Sequence, residues 1–416
     1  MTDNASEALR CLLCKKPKCA LQGCPVHTPV PECMALYREG RLEEAGALLF
    51  RNNPLSAITS LVCDWKKFCF GNCVLNVKQA PVHWYSVEQE ISAAYLRRVV
   101  LRRGAPVGKK VAIVGAGPAG MAASVWLYEK GWDVVLFDAN PRIGGVLRYG
   151  IPPFRLDRSL VDEYERVLSV VDFRGGVKVE SVSALASEYD AVLVCAGAEV
   201  PAALGIPGES SAVKALEFLK EPSAFDLGRK VIVIGGGNVA MDACRTARRI
   251  GVETWVYYRK TFENMPANPL EVEDAVSEGV QFAVFEAPVE ILSGGVVFCK
   301  CENVVPEGGG RVVTRIIPGT EHFVECDTLI TAISEKPEFA LLGGGQGSEP
   351  SGRSAVFGPG GWPEVADSGL VAGFDNVYVA GDYRLGPRTV VEAVASARKA
   401  VEAVAMMVGK SGRLSD

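Results

Sequence analysis

The sequence predicts an α/β protein in which two Rossmann-like nucleotide-binding domains follow a small α-helical domain. Twice the chain runs from an apolar strand through a Gly-rich turn into a helix, at residues 111–131 and again at residues 231–251. Each stretch has the pattern that opens a dinucleotide-binding βαβ unit, and its repetition about 120 residues later indicates two domains rather than one enlarged sheet. The third observation is a crowding of cysteine, because eight of the 13 lie within the first 73 residues.

The composition excludes several classes of protein. A chain of 416 residues, 48% of them hydrophobic, can form more than one core. Its net charge of −5 argues against nucleic acid or an anionic membrane as the main partner. No apolar run approaches the roughly 18 residues that a membrane span needs, and the first residues lack the apolar core of a signal peptide. We therefore expect a cytoplasmic protein, with the Gly-rich residues 341–354 as a mobile surface loop.

The N-terminal region, residues 1–105, combines amphipathic helical stretches with closely spaced cysteines. The spacing C-x2-C-x4-C-x4-C-P, then C-x5-C-x3-C, is formed by Cys11, Cys14, Cys19, Cys24, Cys63, Cys69 and Cys73. In a large cytosolic chain such crowding indicates metal centres or catalytic thiols rather than disulfides. Structural zinc would favour paired CxxC motifs or added histidines, so the pattern favours iron–sulfur clusters over zinc or free thiols. By analogy with two-cluster ferredoxins, the fourth cysteine of the run, before Pro25, should join the second cluster.

The first Gly-rich turn carries the GxGxxG pattern of a dinucleotide site. The turn and the start of its helix are formed by Gly115, Gly117, Pro118, Ala119 and Gly120. Glycine is needed for the tight turn, for approach of the pyrophosphate and for helix–strand packing. The pyrophosphate would lie on the helix N-terminus, where the dipole favours anions. Asp138 ends the next strand, 23 residues after Gly115, where a carboxylate can accept hydrogen bonds from a ribose.

A segment near the C-terminus indicates which dinucleotide binds at this first site. NVYVAGDYRLGPRTVVEAV runs from a strand through Gly381 and Asp382 into a long helix that opens near Thr389. Asp382 could bind a ribityl hydroxyl, which only a flavin offers, and the helix dipole could face the flavin pyrimidine. The alternative is an ordinary turn between a strand and a helix. We expect FAD, in a domain that an insertion divides into residues 106–225 and 332–416.

The second Gly-rich turn, GxGxxA, marks a separate nucleotide domain at residues 226–331. It is formed by Gly235, Gly237, Asn238 and Ala240. Tyr258 occupies the position of the ribose-binding acid, 23 residues after Gly235, and Arg259 and Lys260 follow directly. With no carboxylate for a free ribose diol and two cations where a 2′-phosphate would lie, the pattern favours NADPH. NADH is the alternative if the two cations only end a solvated strand.

These residues, with the motifs around them, resemble the small, electron-input subunit of NADPH-dependent glutamate synthase. The N-terminal half of dihydropyrimidine dehydrogenase and the larger subunit of ferredoxin–NADP transhydrogenase are similar. The likeness covers nearly the whole chain and includes CKKPKC…GCP, FDANPRIGGVLRYGIPPFRLD with Gly145, GGGNVAMDACRTA, YRKTFENMPA and AGDYRLGPRTVVEAV. The resemblance implies two 4Fe–4S clusters, one FAD and one NAD(P)H site, with both nucleotide domains of the disulfide-reductase type.

The same resemblance implies how the clusters are held. The first cluster would take four thiolates, those of Cys11, Cys14, Cys19 and Cys73. The second would take three thiolates and a carboxylate, those of Cys24, Cys63, Cys69 and Glu88. Composition offers Cys33 as a rival to Glu88, because it would bring the total to eight thiolates. Glu271 and Glu273 match family positions that could order the nicotinamide site, although a solvated helix face would explain both equally well.

The implied activity is electron input to a partner protein. Hydride would pass from NAD(P)H to FAD and single electrons from FAD to the clusters, so no acid–base catalytic residue is predicted. A thioredoxin-reductase-like enzyme would need a redox CxxC outside the cluster run, which the sequence lacks. A non-catalytic redox sensor would not need intact flavin and nicotinamide motifs.

The implied partner is a larger catalytic subunit or a ferredoxin-type acceptor. Glutamate synthase is the first candidate. The flavin subunit of dihydropyrimidine dehydrogenase or of ferredoxin–NADP transhydrogenase and a free-standing NAD(P)H–ferredoxin reductase are the alternatives.

Overall fold

The computed structural model describes residues 3–304, 313–343 and 354–410, except for the side chains of residues 408–410. Most of the Gly-rich segment 341–354, expected to be a surface loop, lies outside the described residues. The chain divides into two compact units, residues 1–148, 153–198 and 337–416 in the first and residues 149–152 and 199–336 in the second. The three domain boundaries expected from the sequence stay a prediction.

The N-terminal part of the first unit is built from short helices. They are α1 (Asn4–Arg10), α2 (Lys18–Leu21), α3 (Val30–Arg38), α4 (Leu42–Asn52), α5 (Ser56–Val62) and α6 (Trp84–Leu96). Apolar side chains from α1, α3, α4 and α6 form one buried core. Cys11 and Cys63 end α1 and α5, and Cys73 precedes a 3₁₀ turn, Val74–Val77. Several of the predicted cluster ligands therefore lie at helix ends, where the chain turns back on itself.

The next segment forms most of a parallel sheet with its covering helices. Its elements are β1 (Lys110–Val114), α7 (Pro118–Glu129), β2 (Asp133–Asp138), α8 (Val146–Tyr149), α9 (Arg158–Leu168), β3 (Asp172–Gly175), α10 (Val182–Glu188) and β4 (Ala191–Val194). In β1 and β4 nearly every residue is buried, as expected for parallel strands covered on both faces. The glycine turn between β1 and α7 therefore lies at the carboxyl edge of the sheet, where nucleotides bind in such folds.

The second unit repeats this arrangement and adds an antiparallel sheet. Its elements are β5 (Val200–Pro201), β6 (Val213–Lys214), α11 (Ala215–Lys220), β7 (Lys230–Ile234), α12 (Asn238–Ile250), β8 (Glu253–Tyr258), α13 (Pro269–Ser277), β9 (Gln281–Val284), β10 (Glu286–Leu292), β11 (Gly295–Val304), β12 (Val313–Ile316), β13 (His322–Glu325), β14 (Thr328–Thr331) and β15 (Glu335–Lys336). The parallel sheet has the order β6-β14-β7-β8-β9. Strands β10, β12 and β13 pair with β11 in antiparallel fashion.

The chain then returns to the first unit. Here β16 (Val377–Val379) joins the edge of the first sheet, which has the order β16-β4-β1-β2-β3, and α14 (Asp382–Leu385) and α15 (Val390–Lys410) follow. Helix α15 packs along α7. The two Gly-rich turns thus directly follow the central strands, β1 and β7, of two separate parallel sheets. None of the described helices is both long and apolar enough to cross a membrane.

Candidate cofactor sites

The four thiols predicted to hold the first cluster surround one cavity in the N-terminal region. Cys11, Cys14, Cys19 and Cys73 line an empty volume of about 460 Å³, beside apolar side chains such as Leu75. Burial, together with the neighbouring thiols, raises the pKa of Cys19 to about 12. A thiol in this setting stays protonated at neutral pH unless a cation compensates its charge, which the iron atoms of a cluster would do. The residues therefore fit a thiolate-ligated cluster.

The second predicted ligand set surrounds a neighbouring cavity of about 420 Å³. It is lined by Cys24, Cys63, Cys69 and Glu88. Glu88 lies on α6 with only 7% of its surface exposed, and burial raises its pKa to about 8. Burial, followed by the charge of Glu88, raises the pKa of both Cys63 and Cys69 well above its usual value. A buried carboxyl beside half-buried thiols is costly without a cation, so this donor set also fits a cluster.

Cys33, the rival fourth ligand, lies elsewhere. It is fully buried on α3, in the core beside Val30 and Met34, and neither cavity has it in its lining. The geometry therefore favours Glu88 over Cys33.

Both ligand sets are spread around cavities rather than gathered at a point. Within residues 3–304, 313–343 and 354–410, no three His, Cys, Asp or Glu side chains come close enough together to bind a single metal ion. Four donors that line one cavity suit instead a cluster, in which each donor would bind a different iron.

The first Gly-rich turn has the shape that a dinucleotide pyrophosphate needs. Gly115 has φ of +102°, and a Cβ there would clash with the carbonyl oxygen of Cys195. Asp138 at the end of β2 accepts hydrogen bonds from the backbone N–H groups of Ala116 and Asn140, both at 2.7 Å. Its carboxylate is thus fixed beside the turn. Oδ1 accepts a second hydrogen bond, from Asn140 Nδ2 at 3.1 Å, so the free lone pair for a ribose hydroxyl is on Oδ2.

The other predicted positions of this site gather around the same turn. Gly145 faces Gly117, and Gly381, with φ of +64°, lies against Ala119 at the start of α7. Pro118 and Gly120, also in the first turn of α7, are buried. The structure thus brings residues from three distant segments of the chain to one helix N-terminus.

The C-terminal segment supplies a second helix N-terminus. Thr389 precedes α15, and its N–H and hydroxyl donate to Glu392 Oε2 at 3.0 and 2.6 Å. Glu392 N–H donates in return to Thr389 Oγ1 at 3.4 Å, so the two residues form a capping box. Asp382 opens α14 and accepts a hydrogen bond from Arg388 N–H at 3.2 Å. Val391, in the first turn of α15, lines the second thiol cavity, which places that cavity beside the predicted flavin segment.

The second Gly-rich turn has the same construction in the second unit. At Gly235, φ is +143°, and a Cβ there would clash with the carbonyl oxygen of Ala332 at the end of β14. Space around Gly237 is open, as approach of a pyrophosphate requires. Asn238, the first residue of α12, accepts a hydrogen bond from Asn268 N–H at 2.8 Å. The buried Ala240 packs in the core of this unit.

The two predicted phosphate-binding cations follow β8. Arg259 is exposed and Lys260 is half-buried, and neither pairs with a carboxylate of the described residues. The Lys260 carbonyl accepts a hydrogen bond from Phe285 N–H at 3.2 Å, which fixes the backbone here. Tyr258 donates its hydroxyl hydrogen to the Asn264 carbonyl at 2.9 Å. Two cations at the end of β8 that pair with none of the described carboxylates suit an anionic ligand.

Glu271 and Glu273, the candidates for ordering nicotinamide, have different surroundings. Glu271 accepts a hydrogen bond from Arg245 at 2.6 Å, within an ion-pair network that joins α12 to α13 and includes Glu278. The expectation of a solvated helix face is therefore wrong for Glu271, because its carboxylate is committed to a buried arginine. Glu273 is exposed on α13.

Sequence reasoning missed Arg398, a half-buried arginine on α15. Its guanidinium donates to the carbonyl of Val26 at 3.0 Å and to that of Asn52, and lies 5.3 Å from the ring centre of Trp126. It thereby ties the helix that opens at Thr389 to the loop after Cys24. Nothing in the sequence marks it, whereas the Thr389–Glu392 capping box could have been found from its T-x-x-E pattern.

Comparison with known proteins agrees with this geometry. Residues 109–397 match the family described as pyridine nucleotide-disulphide oxidoreductase, and residues 1–98 match the one described as dihydropyrimidine dehydrogenase domain II, 4Fe-4S cluster. The small chain of NADPH glutamate synthase from Escherichia coli is 31% identical over 96% of this chain and 90% of its own length. The beta subunit of the NADP(+)-dependent formate dehydrogenase of Moorella thermoacetica is 31% identical over 92% of this chain and 59% of its own length.

A solved structure supports the fold alone. FprA of Mycobacterium tuberculosis in complex with NADPH has a TM-score of 0.59 and 20% identity, over 74% of this chain and 86% of FprA. The predicted fold class, with Rossmann-like domains of disulfide-reductase type, is confirmed, as are the oxidoreductase class and the cofactors FAD, NADPH and 4Fe–4S. The chain belongs to the pyridine nucleotide-disulphide oxidoreductase family, in the group that includes the glutamate synthase small chains.

Proposed function

We propose that this protein is the electron-input subunit of a larger enzyme of the glutamate synthase type. The observation that carries the proposal is the position of Val391, which belongs both to the first turn of α15 and to the lining of the second thiol cavity. A flavin held at the N-terminus of α15 would therefore lie next to a cluster. When bound, FAD supplies the conversion from a two-electron donor to one-electron acceptors.

In this proposal the chain's own residues bind and orient the cofactors. The turn at Gly115 and the carboxylate of Asp138 would hold the FAD pyrophosphate and ribose, and the N-terminus of α15 at Thr389 would stabilise negative charge on the flavin. The turn at Gly235 holds the NADPH pyrophosphate, and Arg259 and Lys260 bind its 2′-phosphate. No side chain is assigned a proton-transfer role, since hydride transfer needs none.

The clusters are assigned to the two thiol cavities. The first would be held by Cys11, Cys14, Cys19 and Cys73, and the second by Cys24, Cys63, Cys69 and Glu88. Carboxylate ligation gives the second cluster a potential different from that of an all-cysteine cluster, because potential follows the ligand set and its surroundings.

The partner is proposed from the relatives. The glutamate synthase small chain is similar to this chain over 90% of its own length, and a small chain acts with a larger one, so a larger subunit is the proposed partner. The similarity to a formate dehydrogenase beta subunit makes a formate-oxidising partner the second candidate.

Affinity purification from the native host tests the partner assignment. The tagged protein would be purified without oxygen, and proteins present in equal amounts would be identified by mass spectrometry. Recovery of an amidotransferase-type large subunit supports the glutamate synthase assignment. Recovery of a formate dehydrogenase, pyrimidine-reducing or transhydrogenase subunit would overturn the glutamate synthase assignment and identify that subunit as the partner. Recovery of the chain alone, with iron and FAD bound, would overturn the subunit assignment in favour of a free-standing ferredoxin reductase.

A further inference from the structure

The two thiol cavities differ in the hydroxyl groups of their linings. Three serine and threonine side chains line the second cavity, those of Thr28, Thr59 and Ser60. No serine or threonine of the described residues lines the first cavity. Reduction of an iron–sulfur cluster adds negative charge, part of it on the ligand sulfurs, so a donor that faces such a sulfur stabilises the reduced form and raises the reduction potential. The hydroxyls of the second cavity are therefore candidates for setting the potential of its cluster.

Thr28 differs from the other two residues in the partner of its hydroxyl. Thr28 Oγ1 lies 3.2 Å from the sulfur of the predicted ligand Cys24. The Thr59 hydroxyl donates to a backbone carbonyl of its own helix, α5, at 3.4 Å, and the Ser60 hydroxyl donates to Gln89 Oε1 at 2.5 Å. The hydrogens of these two hydroxyls are thus already used within the protein, whereas the Thr28 hydroxyl faces a ligand sulfur.

The direction of this hydrogen bond follows from the chemistry of the ligand. In a pair of a free thiol and a hydroxyl either group can donate. A cysteine that ligates iron has lost its proton, so its sulfur can accept a hydrogen bond and cannot donate one. Thr28 is 2% exposed, so bulk water does not compete for its hydroxyl. With Cys24 bound to iron, Thr28 is the donor.

The loop that carries Thr28 is fixed by further hydrogen bonds. The His27 N–H donates to the Cys24 carbonyl at 3.0 Å, which closes a turn just before Thr28. Within this turn the Val26 carbonyl accepts a hydrogen bond from Arg398 on α15 at 3.0 Å. These contacts hold the hydroxyl beside the sulfur before any cluster binds, so the donor needs little reorganisation when the ligand loses its proton.

We propose that Thr28 sets the potential of the second cluster, because its hydroxyl donates a hydrogen bond to the Cys24 sulfur and raises the reduction potential there. This rests on the assignment of Cys24 as a ligand under the proposed function. Thr28 acts through Cys24, so it is a positioning residue rather than a catalytic one. A higher potential favours electron transfer from the flavin into the second cavity, which Val391 in the first turn of α15 also lines.

Removal of the hydroxyl tests the proposal. Thr28→Val keeps the shape of the side chain and removes the donor, Thr28→Ala removes the donor without placing a methyl group against the sulfur, and Thr28→Ser keeps the donor. The control Thr59→Val makes the same exchange in the same cavity, at a hydroxyl that donates elsewhere. Each full-length protein would be purified anaerobically and analysed for iron. The midpoint potentials of both clusters would be measured by mediated electrochemical reduction, followed by electron paramagnetic resonance.

The proposal predicts that one of the two midpoint potentials falls in Thr28→Val and in Thr28→Ala, with iron content unchanged. At a fixed potential, the ratio of reduced to oxidised second cluster should drop about fivefold, which is a shift of about 40 mV. Thr28→Ser and Thr59→Val should keep both wild-type potentials.

Three results would overturn the proposal. They are unchanged potentials in both Thr28→Val and Thr28→Ala, a shift of the same size in Thr28→Ser, and loss of a cluster from both Thr28→Val and Thr28→Ala, which would make Thr28 a purely structural residue. A wild-type protein with fewer than two clusters would overturn it as well. Because the electrons come from an electrode, the shift does not depend on the reaction with NADPH. Clusters that show the predicted shift but receive no electrons from NADPH would count against the proposed function alone.

Discussion

At the scale of single residues, the most informative position is Glu88. Nothing in its own stretch of sequence, YSVEQEI, distinguishes it from a surface glutamate, and only the family resemblance singled it out. The structure buries it on α6 facing three cysteines that come from well-separated positions in the chain. The cysteines could be predicted as ligands because their spacing forms a sequence pattern. A single carboxylate that helix packing brings to them has no such pattern and could not be predicted from its own residues.

Replacement of Glu88 tests its role as a cluster ligand. We expect Glu88→Ala to lose the second cluster and about half of the iron and sulfide, because one iron would lack its ligand. The matched variant is Cys33→Ala, which removes a buried thiol outside both cavities and should retain both clusters. Iron analysis and electron paramagnetic resonance of the reduced proteins would be the measurement. Loss of a cluster in Cys33→Ala but not in Glu88→Ala would reverse the assignment.

Arg259 and Lys260 are the residues proposed to set the preference for NADPH over NADH. Replacing both by alanine should raise the KM for NADPH at least about tenfold, since a charge-assisted hydrogen bond contributes about 1.5–3 kcal/mol and each 1.4 kcal/mol is tenfold in affinity. The KM for NADH, which has no 2′-phosphate, should change little. Steady-state kinetics with a quinone acceptor would measure both values. An equal rise in the KM for NADPH and for NADH would show that the two cations do not bind the 2′-phosphate.

At the scale of secondary-structure elements, the sequence predicted most where the pattern is local. Both βαβ openings lie where the apolar runs and glycines placed them, because strand, turn and helix are encoded in consecutive residues. The antiparallel strands β10–β13 were not anticipated, since their pairing joins residues that no short motif connects. The contacts of α15 with the N-terminal loops join residues more than 300 positions apart, so they could not be predicted from local sequence patterns either.

The contact between α12 and α13 should make stability depend on pH. Burial of Glu278 opposes ionisation, but hydrogen bonds from Arg249 and Arg245 outweigh it and lower its pKa from 4.5 to about 2. A carboxyl with a lowered folded-state pKa stabilises the fold above its unfolded pKa, and this stabilisation is lost as pH falls through the folded value. Glu278→Gln should therefore lower the urea unfolding midpoint at pH 7, and its difference from wild type should shrink as the pH falls from 4.5 towards 2.

The control for this prediction is an exposed ion pair. Glu302 pairs with Arg315 at 2.7 Å on β11 and β12, with both side chains largely in solvent, so Glu302→Gln should leave the midpoint almost unchanged. A Glu278→Gln protein as stable as wild type at pH 7 would show that the network contributes nothing to the second unit.

At the scale of the whole molecule, function depends on cofactors that the fold alone does not supply. The N-terminal region has helices of 4 to 13 residues, and two of them, α1 and α5, end at predicted ligands, so its order should depend on the clusters. The second unit has its own large apolar core and no predicted cluster ligand. The two parts should therefore respond differently to removal of iron.

Anaerobic chelation of iron should make residues 1–98 sensitive to protease while leaving residues 199–336 protected. We expect the rate of cleavage in the N-terminal region to rise at least about tenfold, because cluster binding energy is folding energy for such a region. Cleavage sites and rates would be read by mass spectrometry, with NADPH present to stabilise the second unit. Equal sensitivity before and after chelation would mean that the helices order themselves without the clusters.

The central claim is that one chain carries the whole route from NADPH to iron–sulfur clusters, and its most direct test is an anaerobic reduction. The purified protein would be analysed for FAD, iron and sulfide, mixed with NADPH, and followed by visible absorption and electron paramagnetic resonance. We predict one FAD and two 4Fe–4S clusters per chain, with bleaching of the flavin by NADPH and reduction of at least one cluster. A purified protein that contains FAD but no iron, or whose flavin is not reduced by NADPH, would contradict this claim.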